Sequence, residues 1–169
     1  MILLAAVLGA VANRLRGGAI PLGGDAPGRV IWAVYVAALG FAVGVPLPWC
    51  AALLLVGYAT TTVGQFNALD VGHRSGMAWP GAALRITAFG AVRALPLAVV
   101  LALAGRQWWP MALATLAALP AYDAPWRLPD AALRLRHLGR GTGPGPARDP
   151  PQMAEALHGA ALGLALAFA

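Results

Sequence analysis

The chain has 169 residues, of which 60% are hydrophobic and 11% charged, with a mean hydropathy of +0.71. Soluble domains usually carry about 25% charged residues, so this composition argues against a soluble fold and predicts a single integral membrane domain, residues 1–169. The net charge is +6, and all the basic residues are arginines in short segments between apolar runs. This pattern favours charge-determined membrane topology over nucleic-acid binding.

Six apolar segments predict the fold class, an all-α integral membrane bundle of five or six transmembrane helices. They are 2–16, 30–46, 49–66, 82–104, 107–121 and 152–168. A span needs about 20 residues, so the first and fifth segments are short, and five helices with one re-entrant segment is an alternative. The first segment could also be a signal peptide ending at Ala10-Val11-Ala12, but it lacks a preceding basic region, which favours a first span.

The arginines predict the orientation. With the N-terminus outside, six spans place ten of the twelve arginines on the cytoplasmic side, as the positive-inside rule requires. Arg106 is then outside and Arg93 lies within a helix. The predicted location is therefore the bacterial cytoplasmic (inner) membrane. The polar stretch 122–151 becomes an inner loop, and Trp108 and Trp109 mark the outer interface.

The first polar cluster follows the first apolar segment and reads Asn13-Arg14-Leu15-Arg16-Gly17-Gly18. Guanidinium groups bind phosphate or carboxylate through two parallel hydrogen bonds, so Arg14 and Arg16, with Asn13, are candidate ligand-binding residues. The alternative is that these arginines only anchor the helix at the cytoplasmic interface.

A second cluster lies between segments three and four and contains Gln65, Asn67, Asp70 and His73. An aspartate that orients a histidine is the usual arrangement for a general base, so Asp70 and His73 are candidate catalytic residues. Gln65 and Asn67 are candidate ligand-binding residues. A solvated loop with a helix cap would explain the same residues without chemistry.

Two further sets complete the predicted site. Arg85 begins the fourth segment on the cytoplasmic side and is a candidate ligand-binding residue. Glu155 and His158 are three residues apart and share a helix face, which makes them candidate catalytic residues. Glu-x-x-His pairs bind metal in some helical bundles, but one pair alone is weak evidence, and a salt bridge from Glu155 to Arg14, Arg16 or Arg85 is expected instead.

Arg93 lies near the middle of the fourth segment, where an arginine costs about 2.5–3.5 kcal/mol on insertion scales. It needs an acidic partner or a polar cavity, and Asp70, Asp123 and Glu155 are the candidate acids. Arg93 could bind a ligand, or it could form a buried ion pair that fixes helix packing.

Pairs of glycines four residues apart allow close helix approach, and two occur, Gly40/Gly44 and Gly159/Gly163. The chain has no nucleotide-binding glycine loop, no zincin motif and no Gly-x-Ser-x-Gly elbow. One cysteine, Cys50, allows no internal disulfide. No cofactor is therefore expected.

The run from Asn13 to Gly18, the run Gly72-His73-Arg74-Ser75-Gly76-Met77 and the Glu155 helix resemble small polytopic membrane proteins of phages and prophages. The resemblance covers most of the chain and implies only a polytopic inner-membrane protein, with a phage genome as one expected source. It implies no activity.

These observations lead to three hypotheses. The first is recognition of an anionic, phosphate-bearing ligand at the cytoplasmic face, with a lipid headgroup as the partner, in a small lipid-modifying enzyme. The second is a transporter or channel lined by Arg93. The third is a non-enzymatic phage membrane protein, such as a lysis or exclusion factor.

Overall fold

The structure is a computed structural model that describes residues 1–16, 26–60, 79–127 and 149–169. Within these ranges, the side chains of residues 14–16, 26, 79–82, 85, 122–127 and 149–152 are not described. The described residues form six α-helices and no strand, which confirms the predicted all-α class. The helices are α1 (Ile2–Arg16), α2 (Ala26–Ala42), α3 (Leu47–Thr60), α4 (Trp79–Leu103), α5 (Trp109–Arg127) and α6 (Asp149–Ala167).

A tight turn joins α2 to α3. Gly44 adopts a positive φ of 82°, and the amide of Val45 donates to the carbonyl of Gly40 at 2.9 Å. Pro46 then accepts from the Trp49 and Cys50 amides at the start of α3. Gly44 is thus a turn residue after the end of α2, so the prediction that it packs helices together with Gly40 is wrong for Gly44. Gly40 does face α3, because a Cβ there would lie 2.6 Å from the Leu53 side chain.

The helices alternate in direction. α1 and α6 are antiparallel, with Ala5 beside Gly163 and Gly9 beside Gly159. At the far end of α4, the amide of Gln107 donates to the carbonyl of Ala169 at 3.3 Å. There Arg106 also donates from a guanidinium nitrogen to the Val43 carbonyl at 2.7 Å. The α2–α3 turn, the α4–α5 connection and the C-terminus therefore share one end of the bundle, called here the Arg106 end.

The opposite end carries most of the helix-terminal arginines and is called here the basic end. The C-termini of α1, α3 and α5 and the N-termini of α2, α4 and α6 lie there. The arginine positions at these helix ends are Arg14, Arg16, Arg29, Arg85 and Arg127.

A seam of small residues joins α1 to α6, the most extensive helix contact in the bundle. A Cβ on Gly159 would collide with the Gly9 carbonyl and the Asn13 Cβ, and one on Gly163 would collide with the Ala5 carbonyl and the Tyr35 hydroxyl. The Tyr35 hydroxyl also donates to the Ala5 carbonyl at 2.5 Å. The predicted role of Gly159 and Gly163 in close packing is confirmed.

The polarity of the bundle is unusual. Large apolar side chains are exposed on the outer faces of the helices, among them Leu3, Leu55, Val99 and Leu116. Of the charged side chains that the structure describes, Arg93 and Glu155 are buried and Arg29 and Arg106 are half-buried. Soluble proteins place their charges outward instead.

One described helix contains a stretch that is long and apolar enough to cross a membrane. It is Ile86–Leu103 in α4, 18 residues with a mean hydropathy of 2.0, and half of it is buried within the bundle. The other apolar helical stretches among the described residues have 10–17 residues. The predicted number of spans, five or six, therefore stays a prediction.

We expect Gly159→Ala to destabilise the bundle, because the added methyl group needs space that the Gly9 backbone occupies. Overpacking of this kind costs about 1–3 kcal/mol. Thermal unfolding of the purified protein in detergent measures the loss.

Gly57→Ala on α3 is the matched control. Its added Cβ would meet its nearest neighbour, the Ala33 Cα, at an ordinary 3.4 Å. Alanine also favours a helix over glycine, so this variant should unfold at the wild-type temperature or above. Equal unfolding temperatures of Gly159→Ala and Gly57→Ala would contradict the close packing of α1 against α6 at Gly159.

Candidate functional site

Four polar side chains meet inside the bundle. Asn13 from α1, Arg93 from α4, and Glu155 and His158 from α6 are 1%, 3%, 3% and 0% exposed, respectively. We call these four residues the buried cluster. Three helices that are distant in sequence thus contribute to one polar contact in an apolar interior.

The centre of the buried cluster is an ion pair between Arg93 and Glu155. One guanidinium nitrogen, Nη1, lies 2.9 Å from Glu155 Oε2, and the other, Nη2, lies 3.3 Å from Oε1. This two-pronged geometry suits the planar guanidinium and carboxylate groups. Since both side chains are almost completely out of solvent, each supplies the charge that makes burial of the other tolerable.

Asn13 ties α1 to this pair. Its Nδ2 donates to the backbone carbonyl of Glu155 at 2.5 Å and to the carboxylate Oε2 at 2.9 Å. The approach is possible because Gly159, one turn along α6, has no side chain beside Asn13. Oε2 therefore accepts from both Asn13 and Arg93, and its carboxylate is held in one orientation.

His158 and Phe89 cover the other side of the guanidinium. Nη1 of Arg93 lies 3.4 Å from His158 Nδ1. The Arg93 Cζ stands 4.0 Å from the centroid of the Phe89 ring, a cation–π contact. The Phe89 and His158 rings are 6.3 Å apart and tilted by 41°. The guanidinium thus touches an anion, an imidazole and an aromatic face.

Helical spacing explains the local arrangement. Glu155 and His158 are three residues apart and point from the same face of α6, while Phe89 and Arg93 are four apart on α4. Phe89 is a member of the site that the sequence analysis did not identify. Its position one turn before a buried arginine was the available signal.

The structure therefore brings together four of the predicted site residues: Asn13, Arg93, Glu155 and His158. Of the three acids predicted as partners of Arg93, Glu155 forms the ion pair. The predicted bridges from Glu155 to Arg14, Arg16 or Arg85 stay predictions, because these arginine side chains are not described.

The remaining predicted site residues differ in what the structure says of them. Arg14 and Arg16 occupy the last turn of α1, and Arg85 the second turn of α4, so their backbones share the basic end. Gln65, Asn67, Asp70 and His73 lie outside the described residues. Among the described residues, no group of three His, Cys, Asp or Glu side chains could hold a metal ion.

The buried cluster lies just beneath the basic end. Asn13 is three residues from Arg16, and Arg93 is eight residues from Arg85, or about 12 Å along the helix axis. Its opposite charges compensate each other within the bundle. This arrangement can hold α1, α4 and α6 in one register and can support groups at the helix ends above it.

Comparison with protein-family models, curated proteins and solved structures gave no match for this chain. The resemblance to phage and prophage membrane proteins therefore stays a prediction.

We expect Glu155→Leu or Arg93→Leu alone to destabilise the protein strongly, since each leaves one buried charge without its counter-ion. The loss from breaking a buried pair is typically about 3–5 kcal/mol. Denaturant unfolding in detergent micelles measures it.

The double variant Arg93→Leu with Glu155→Leu tests the coupling. With both charges removed, the double variant should lose much less unfolding free energy than the two single variants lose together, because neither charge remains uncompensated. Additive losses would show that the two side chains do not depend on each other.

Proposed function

We propose that the chain is a polytopic inner-membrane protein with six spans, whose basic end faces the cytoplasm and binds a phosphate-bearing lipid headgroup. The observation that carries the proposal is the grouping of five helix-end arginine positions at one end of the bundle, directly above the buried cluster. Each further feature below supports one part of it.

The outer surface of the bundle supports the proposed insertion into a membrane. Exposed leucine, valine and phenylalanine side chains cover the outer faces of the helices, while the ion pair of Arg93 and Glu155 lies inside. Such a surface is unfavourable in water and suited to lipid, and buried ionisable pairs are the usual arrangement inside membrane bundles.

The alternation of helix directions supports six crossings, because each helix starts at the end where the preceding one finishes. Trp108 and Trp109 are half exposed at the Arg106 end, as expected of residues at a membrane interface. The excess of arginine positions at the other end supports a cytoplasmic basic end and an outer N-terminus.

The proposed ligand follows from the arginines. The buried cluster links α1 to α4. Near the basic ends of these two helices lie the positions Arg14, Arg16 and Arg85. Arginine has a long, flexible stem, and a guanidinium group in the headgroup region binds phosphate through paired hydrogen bonds. Proton transfer to such a ligand by His73 and Asp70, which would make the protein a lipid-modifying enzyme, stays a prediction.

The second hypothesis, a transporter or channel lined by Arg93, has less support. That path requires Arg93 to meet water near the bilayer centre, whereas its side chain is 3% exposed and paired with Glu155. The third hypothesis, a non-enzymatic phage protein, requires the helical bundle but no headgroup site. Variants that lose headgroup binding and keep the cellular effect of the protein would favour this hypothesis.

We expect cysteine labelling to place the two ends on opposite sides of the membrane. In a Cys50→Ala background, Gln107→Cys at the Arg106 end should react with a membrane-impermeant maleimide on intact spheroplasts. Gly139→Cys, in the predicted inner loop, should react only after permeabilisation.

Labelling of both cysteines from the same side would contradict the six-span topology. Release of the protein from membranes by alkaline carbonate would contradict membrane insertion itself.

We expect Arg14→Gln, Arg16→Gln and Arg85→Gln each to weaken binding of phosphatidylglycerol by about tenfold, the value of one charge-assisted hydrogen bond. The measurement is lipid retention by native mass spectrometry, with phosphatidylcholine as the neutral reference. Arg14→Lys should lose part of the affinity, because lysine keeps the charge but not the two-pronged geometry.

Arg106→Gln is the matched control, since it removes one arginine from the opposite end and should leave headgroup binding unchanged. Wild-type binding by the three basic-end variants, or equal loss in Arg106→Gln, would overturn the proposed site.

A further inference from the structure

His158 is completely buried, and its ring faces the guanidinium of Arg93. A guanidinium is always charged and only donates hydrogen bonds, so His158 Nδ1 must present a lone pair to Nη1. As a hydrogen bond, this 3.4 Å contact therefore calls for a neutral imidazole with its proton on Nε2. This tautomer follows from the geometry of the buried cluster and is independent of headgroup binding.

We propose that His158 is a protonation switch for the buried cluster. A proton taken up at Nδ1 occupies the lone pair that accepts from Arg93 and places a second cation against the guanidinium. The Arg93–His158 contact is then lost, the Glu155 carboxylate is shared between two cations, and α4 separates from α6 at this level.

Few ionisable groups face His158 from the surrounding helices. Arg93 does so from α4, and Glu155 lies one turn away on α6 itself. The described side chains of α1 after Met1 and of α5 include no ionisable group. α2 carries two ionisable side chains in the described residues: Tyr35, whose hydroxyl lies beside Gly163, further along α6 than His158, and Arg29, near the basic end.

The charge balance decides the direction of the switch. With His158 neutral, Arg93 and Glu155 give the buried cluster a net charge of zero, and protonation raises it to +1 in an apolar interior. An uncompensated buried charge is unfavourable, so protonation favours an opened arrangement in which the imidazolium meets water. An exposed histidine is protonated below about pH 6.5, so stability falls as the pH falls through that range.

The tautomer is tested by nitrogen NMR of the full-length protein in micelles at pH 7.5, with ¹⁵N-labelled histidine. The chain has three histidines, so His73→Gln and His137→Gln assign the His158 signal by elimination. We expect an unprotonated Nδ1 and a protonated Nε2. A proton on Nδ1, or an imidazolium, would overturn the proposal without affecting the proposed headgroup site.

The switch is tested by thermal unfolding of wild type and His158→Gln between pH 8 and pH 5. Glutamine keeps an acceptor oxygen for Arg93 but binds no proton. Relative to this variant, the wild-type folding equilibrium constant should fall by about tenfold per pH unit below about 6.5.

His137→Gln is the matched control, because it removes another histidine outside the buried cluster and should keep the wild-type pH dependence. Identical pH dependence of wild type and His158→Gln would show that His158 is not the switch. If His158→Gln does not fold, the same nitrogen spectra of the wild type, recorded between pH 8 and pH 5, decide the proposal, and a His158 imidazolium in the fully folded protein at pH 5 would overturn it.

Discussion

The bundle depends on an ion pair that is almost completely buried. Arg93 and Glu155 lie 62 residues apart in the chain, on α4 and α6, yet their charged groups meet at 2.9 Å. In an apolar interior neither charge is tolerable without the other. This requirement fixes the rotation of both helices about their axes, and through Asn13 it extends to α1.

Close backbone packing makes the ion pair possible. The seam of Gly9, Gly159 and Gly163 brings α1 against α6, and the absence of a Gly159 side chain lets Asn13 reach the Glu155 carbonyl. Packing and electrostatics therefore support each other at one level of the bundle. Without the glycines the polar groups would be separated, and without the polar groups the seam would provide contact but little specificity.

The buried cluster and the helix-end arginines have different roles in this picture. The arginine positions at the basic end carry the proposed headgroup site, whereas the buried cluster holds the helices that present them. His158 links the two levels, because its protonation would change the packing directly beneath that end. In this proposal Arg93, which pairs with Glu155, is a positioning residue, and the prediction that it binds a ligand stays a prediction.

The sequence by itself determined the helical class, the helix positions to within a few residues at most ends, and the free-energy cost of an arginine inside an apolar helix. Hydrophobic runs and the free energy of burying a charge are local properties, which is why these features could be predicted from the sequence. It also identified Glu155 and His158 as neighbours, from helical spacing alone. Only the tertiary structure decided which acid meets Arg93, because Asp70, Asp123 and Glu155 were equally available by charge. Packing between helices likewise brought Asn13 into the buried cluster and Phe89 against the Arg93 guanidinium. Gly44 became a turn residue because α2 ends before it. Such outcomes depend on the relative rotation and register of separate helices, which no local pattern specifies.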